Sequence, residues 1–134
     1  MFKLIKIEGG RLNGPETRKA MAAAGTYPPG MLLAIADGKL SPANGDVNAV
    51  AICMQEMTLA KDGELLVGNV YPDMVFEVPV TAFSASVQVP GASVTFSTGE
   101  AVTATAATAG NGAMVESVMN AAAAGDSILV RIKA

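Results

Sequence analysis

Short apolar runs closed off by glycine- or proline-bearing turns recur about every ten residues from Gly30 to the end of the chain, and this rhythm restricts the fold to one built from short strands. Met31–Ala36 reads as a strand, Asp37-Gly38 as a hairpin turn that needs positive φ, and Lys39-Leu40 as the returning edge. The apolar stretch Val47–Met57 is long enough for one central strand or a bent pair, and Lys61-Asp62-Gly63 turns the chain back into Glu64–Tyr71. Met74–Val80 alternates, with Val75, Glu77 and Pro79 expected toward solvent; Val87–Val89, Val94–Ser97, Ala101–Thr105, Met114–Met119 and Ile128–Ile132 complete the series. The sequence therefore predicts a mainly β protein, a small β-barrel or β-sandwich, with at most one or two short helices.

Ahead of that series stand residues 1–28. Phe2, Leu4, Ile5 and Ile7 interleave with Lys3, Lys6 and Glu8, which suits a strand ending at Gly9-Gly10. Pro15–Ala24 has Pro at a helix start, Glu16 in the first turn and Gly25 as a stop, so it reads either as a short helix or as an arm without fixed structure. The expected organisation is an N-terminal strand and arm over residues 1–28 and a body over 29–134. The alanine-rich stretches Thr103–Ala109 and Ala122–Ala124 are too short or too threonine-rich to nucleate helices.

The body carries an internal repeat. Pro29-Gly30 through Gly38-Lys39 matches Pro90-Gly91 through Gly99-Glu100 without a gap, at an offset of 61 residues (29 to 90). Gly63 through Val70 matches Gly125 through Ile132 at an offset of 62 (63 to 125), one insertion later. Two strand-turn-strand halves, about 29–80 and 90–134, follow from this unless two turn-rich β segments merely resemble each other by chance.

Composition narrows the function. Hydrophobic residues make up 51% of the chain while aromatics are 4% and Trp is absent, so the core is packed from Ala, Val, Leu, Ile and Met. Charged residues are only 16%, which leaves a surface rich in Ala, Thr, Ser and Gly and suited to lie against a partner. A net charge of −3 disfavours nucleic acid, whose binders carry a basic face. The charge is uneven, however: Lys3, Lys6, Arg11, Arg18 and Lys19 are opposed only by Glu8 and Glu16 near the N-terminus, and these five cations are the candidate partner-binding residues. A solvated strand and loop would account for the same residues. The N-terminus lacks the apolar stretch of a signal peptide and no segment reaches membrane-span length, so residence in the cytosol of the producing cell is expected.

Reactive chemistry has little to stand on. The chain contains no His, which removes the usual base at neutral pH, the partner of a nucleophilic Ser or Cys, and the commonest metal ligand. Cys53 is the sole cysteine and sits among Val50, Ala51, Ile52 and Met54, as a buried structural thiol does. Asp73 and Glu77 are the tightest apolar-flanked carboxylate pair, but an ordinary turn Asp and a solvent-facing strand Glu account for them, and a site there lacks support. No phosphate-loop, dinucleotide or calcium-loop spacing occurs, so no catalytic residue, metal or cofactor is expected.

The segments "PGMLLAIADGKLSPANG", "AVAICMQEM", "DGELLVGNV", "PGASVTFSTGEAVTATAATAG" and "AAAGDSILVRI" together resemble the head decoration, or cement, proteins of tailed bacteriophages over residues 29–134. The resemblance implies a non-enzymatic structural protein bound to the outside of an expanded capsid, with the major capsid protein as partner and self-association as a trimer or dimer on the shell. It also implies that the basic N-terminal stretch acts as a clamp, that the protein is made in the bacterial cytoplasm, and that it ends on the virion surface. The competing expectation is a small ligand- or carbohydrate-binding β-module, for which Tyr27, Tyr71 and four Phe are the available aromatics.

Overall fold

The computed structural model describes residues 1–7, 16–72, 74–81, 90–104, 112–118, 121 and 123–132. The chain is mainly β, with several sheets, and no helix occurs among the described residues. The expected strand Val87–Val89 and the end of the Thr103–Ala109 stretch lie outside them.

The strands are β1 Lys3–Ile7, β2 Thr17–Ala22, β3 Gly25–Tyr27, β4 Leu32–Ala36, β5 Lys39–Pro42, β6 Ala51–Cys53, β7 Met57–Leu59, β8 Gly63–Asn69, β9 Met74–Pro79, β10 Ser93–Ser97, β11 Ala101–Ala104, β12 Ala113–Ser117 and β13 Ser127–Ile132. One set pairs in a closed ring of order β2-β5-β4-β6-β8, a second forms a six-stranded sheet of order β1-β9-β13-β12-β10-β11, and β3 pairs with β7 alone. The Val47–Met57 run resolves into the bent alternative. Its strand stops at Cys53, and Met54, Gln55 and Glu56 stand exposed before β7 begins.

One expectation is corrected. Thr17–Ala22 is neither helix nor free arm but an extended strand paired antiparallel with β8 along its whole length, from Thr17↔Gly68 to Ala22↔Gly63. Helix propensity over Thr17–Ala22 is worth only tenths of a kcal/mol per residue, and the ladder to β8 together with the burial of Ala22 outweighs it.

The same pairings recur in the two larger sets. Leu33↔Ala51 has its counterpart in Val94↔Ala113, Cys53↔Val67 in Val115↔Val130, and Met21↔Glu64 in Pro79↔Ser127. The parallel contact Ala22↔Leu40, which closes the ring, has its counterpart in the parallel bridge Val80↔Val102. Both hairpins turn through left-handed residues, Asp37 (φ 52) with Gly38 (φ 78) and Thr98 (φ 49) with Gly99 (φ 71). The first turn holds two residues between Ala36↔Lys39, whereas the second holds Thr98, Gly99 and Glu100 between Ser97↔Ala101. That extra residue is where the sequence offset first grows. The last strands match at 63 residues (67 to 130) and not 62, because Leu65 and Val67 are buried as Ile128 and Val130 are, and a one-residue slip would turn the apolar side chains to the wrong face.

Two cores result. Ala22, Leu33, Leu40, Cys53, Leu65 and Val67 pack inside the ring. Phe76, Val78, Phe96, Ile128, Val130 and their neighbours pack against the six-stranded sheet, joined there by Leu32, Ala34 and Ile52. Successive side chains of a strand face opposite ways, so β4 gives Leu33 to one core and Leu32 and Ala34 to the other, which explains why its sequence is continuously apolar instead of alternating. Each such Leu, fully buried, contributes about 1.5–3 kcal/mol of transfer free energy. On β9, Val75 is buried as well, so solvent-side alternation survives only at Glu77 and Pro79, both half-buried.

The second hairpin locks the two cores together. The Gly99 carbonyl accepts the Leu32 N–H at 2.9 Å, and the Gly99 N–H donates to the Ala43 carbonyl at 2.6 Å. Phe2, just ahead of β1, is buried between the sets: its N–H donates to the Gly30 carbonyl at 2.9 Å, and its ring meets Phe76 and Phe96 edge-on, with centroids 5.8 Å away in each case.

Candidate docking surface

The five cations are divided between two sheets. Lys3 is exposed on β1, opposite Glu77 of β9, and Lys6 follows on the same strand, opposite Val75. Arg18 and Lys19 are exposed on β2, opposite Val67 and Leu66 of β8. Arg11 lies outside the described residues. Arg18 is held in place, its Nε donating to Asn69 Oδ1 at 2.7 Å.

Around Arg18 the surface has a definite shape. A cavity of ≈ 270 Å³ opens between β2 and the β4–β5 hairpin, walled by Arg18, Ala20, Met21, Ile35 and Leu40. Met21 is 52% exposed and Ile35 64%, the two most exposed large apolar side chains among the described residues. Exposed apolar side chains grouped beside a cleft mark places where something binds, more than single ones do.

Among the described residues, the backbone of β2 is open along this cleft. The Glu16 carbonyl accepts the Asn69 N–H at 2.9 Å, so even-numbered residues direct their backbone groups to β8, while Thr17, Lys19 and Met21 direct theirs away from it. On that outward side β2 meets another described strand only at Ala22↔Leu40. An edge of this kind offers N–H and C=O groups to an added strand.

One end of the cleft is pinned by charge. Lys39 Nζ bonds Asp62 Oδ2, and Asp62 Oδ1 accepts the Ala24 N–H at 3.1 Å, which ties the hairpin, the turn before β8 and the end of β2 together. The bond to Lys39, followed by that to Ala24, holds the Asp62 carboxyl below the usual carboxylate range, and the bond to Asp62 raises the Lys39 ammonium above its ordinary value.

The thiol of Cys53 is poorly placed for nucleophilic chemistry. Cys53 is buried, its thiol donates to the Gln55 carbonyl at 3.1 Å, and burial pushes its pKa up, which disfavours the thiolate. It borders a second cavity, of ≈ 240 Å³, beside Phe2, Ile52 and Met54. Asp73 lies outside the described residues; its suggested partner Glu77 is half-buried on β9 between Lys3 and Leu129 in register. Among the described residues no three His, Cys, Asp or Glu gather closely enough to hold a metal ion, and no helix is long and apolar enough to cross a membrane.

Sequence reasoning marked Arg18 and Lys19 by charge and missed Met21 and Ile35. The repeat contained the missing signal: the residue matching exposed Ile35 is Phe96, which is buried, so equivalent positions have different surroundings. No protein-family model matches the chain, and no curated protein matches it.

Proposed function

We propose that this chain is a structural docking protein of the capsid-decoration kind, a small barrel-type body of two similar strand-turn-strand halves that fastens to the outer surface of a phage shell. The observation that carries the reading is the open edge of β2, which bears exposed Lys19, beside a cleft walled by Arg18, Met21 and Ile35, a surface whose backbone and apolar groups suit protein contact. The acidic overall balance suits a protein partner better than nucleic acid. On this reading the partner is the major capsid protein, copies associate on the shell as a trimer or dimer, and the protein, made in the bacterial cytoplasm, ends on the virion. Retention comes from many modest contacts to linked capsomers, whose effective concentration is high. The function is adhesive and not enzymatic.

A carbohydrate-binding module is less well supported, because sugar stacking needs exposed aromatic faces. Among the described residues Phe2, Tyr27, Phe76 and Phe96 are buried and Tyr71 is half-buried. The deciding experiment is co-sedimentation of the purified chain with expanded phage heads, with unexpanded heads as the comparison. Saturable binding to the expanded form is expected. Absence of binding to shells of several phage types, or reproducible glycan-array hits, would overturn the reading.

A further inference from the structure

The β2 cleft has an occupied twin within the same chain. Stepping back from the matched pairs Met21↔Glu64 and Pro79↔Ser127 sets Lys19 at the place of Glu77 and Arg18 at that of Phe76. Stepping on from Leu33↔Ala51 and Val94↔Ala113 sets Ile35 at the place of Phe96. On the six-stranded sheet, the edge of β9 that matches the open edge of β2 is taken by β1, antiparallel, with Lys3 opposite Glu77 and Leu4 opposite Phe76. Phe2 fills the space beside Phe76 and Phe96, the counterparts of Arg18 and Ile35, which wall the cavity at β2.

We propose that the outward edge of β2 is a strand-acceptor site, which takes an extended segment of another protein, antiparallel, with an acidic residue opposite Lys19 and an apolar side chain in the cavity between Arg18 and Ile35. The twin supplies the geometry, and the differences supply the chemistry. Where β9 offers Glu77 to Lys3, β2 offers Lys19, so the complementary strand carries a carboxylate where β1 carries a lysine. Arg18 replaces Phe76 in the wall and adds a second positive charge for the same carboxylate-bearing segment. A second copy's β1 fits badly: it would set Lys3 against Lys19 and would give up the burial of Phe2 in its own core. Main-chain hydrogen bonds to Thr17 and Lys19 provide affinity, and the cavity and Lys19 provide selection.

The inference deepens the docking reading and rests on it for the source of the strand, but it is tested with peptides alone, so the two fail separately. The probes are an acetylated heptapeptide of residues 1–7, which carries β1 and Phe2, and one with glutamate at its third and sixth places, titrated onto the full chain while backbone amides are followed by NMR. The glutamate peptide is expected to bind saturably, to slow hydrogen exchange at the Thr17 and Lys19 amides, and to bind roughly threefold to tenfold more tightly than the lysine peptide. Lys19→Glu is expected to invert that preference without disturbing the fold, and Lys19→Pro, which removes an outward-facing donor only, to abolish binding. Equal binding of both peptides, protection elsewhere than on β2, or an unchanged preference in Lys19→Glu would overturn the proposal. So would dimerisation of the chain alone that Lys19→Pro abolishes, since the occupant would then be a second copy.

Discussion

Gly38 and Gly99 occupy matching places in two hairpins, with φ of 78° and 71°, yet only one of them is enclosed. A Cβ on Gly38 would meet nothing within 4 Å, whereas one on Gly99 would overlap the Leu32 carbonyl oxygen and lie 2.8 Å from Met31 Cγ. Alanine at either position must adopt a left-handed conformation, which costs about 1–2 kcal/mol. For Gly38→Ala that is the whole penalty. For Gly99→Ala the obstacle is backbone, so the hairpin must retreat from β4. Retreat loosens the bonds between Gly99 and Leu32 and between Gly99 and Ala43, worth about 1 kcal/mol each. The expected losses are therefore about 1–2 kcal/mol for Gly38→Ala and about 3–4 kcal/mol for Gly99→Ala, read from urea unfolding followed by far-ultraviolet circular dichroism. Because the φ penalty is common to both, the difference isolates the close approach of the second hairpin to β4. Variants equal in stability to within about 0.5 kcal/mol would refute that approach as a source of cohesion.

Two further perturbations test the joint and the cleft. Phe2→Ala removes a ring that is 3% exposed and makes edge contacts with Phe76 and Phe96, and it should cost about 3–5 kcal/mol in the same unfolding assay; a loss under about 1 kcal/mol would mean that Phe2 is not a core residue. The depressed Asp62 carboxyl adds stability that is complete above the ordinary carboxylate pKa of about 3.9 and is lost as pH falls through its lower folded value. The raised Lys39 ammonium acts oppositely, its contribution complete below the ordinary amine value and lost as pH rises through the higher folded one. Asp62→Asn should therefore lower melting temperature slightly at neutral pH and flatten the acid limb by the same small amount, so that the two proteins converge at low pH, as befits an exposed pair. An acid limb of unaltered slope would show that the pair does not form in solution.

Local turn chemistry was the legible part of this fold. Asp37-Gly38 announces the first hairpin, because few residue pairs accept positive φ, Gly99 marks the second turn only through its match to Gly38, and the apolar runs after Gly30 locate most of the strands. Residues 17–22 were misread because Thr-Arg-Lys-Ala-Met-Ala carries no period of two: only Ala22 is buried, and the strand is defined by its partner β8. The 62-residue match at the last strand is off by one because it aligns Gly63, the first residue of β8, with Gly125, a turn residue ahead of β13, whereas burial of Leu65 with Ile128 sets the register. The candidate site was half legible: charge at Arg18 and Lys19 shows in sequence, while exposure of Ile35 depends on what covers the end of the ring.

That dependence also bears on how one strand selects between two equivalent slots. β1 meets Phe76 and Phe96 through Phe2 and sets Lys3 against Glu77; on β2 the same strand would meet Arg18 and Ile35 and set Lys3 against Lys19. Losing two aromatic contacts at about 0.5–1.5 kcal/mol each, and exchanging an attractive cross-strand pair for a repulsive one, disfavours the second slot by several kcal/mol in aggregate. The residues that direct β1 to the six-stranded sheet are thus the same ones that leave β2 open, and they give its edge a charge of the wrong sign for the chain's own strand. A Lys19→Glu, Arg18→Phe double variant removes that discrimination. It should bind the free β1 peptide at β2, and a variant that still refused it would show that the two slots differ in backbone geometry and not in side-chain chemistry.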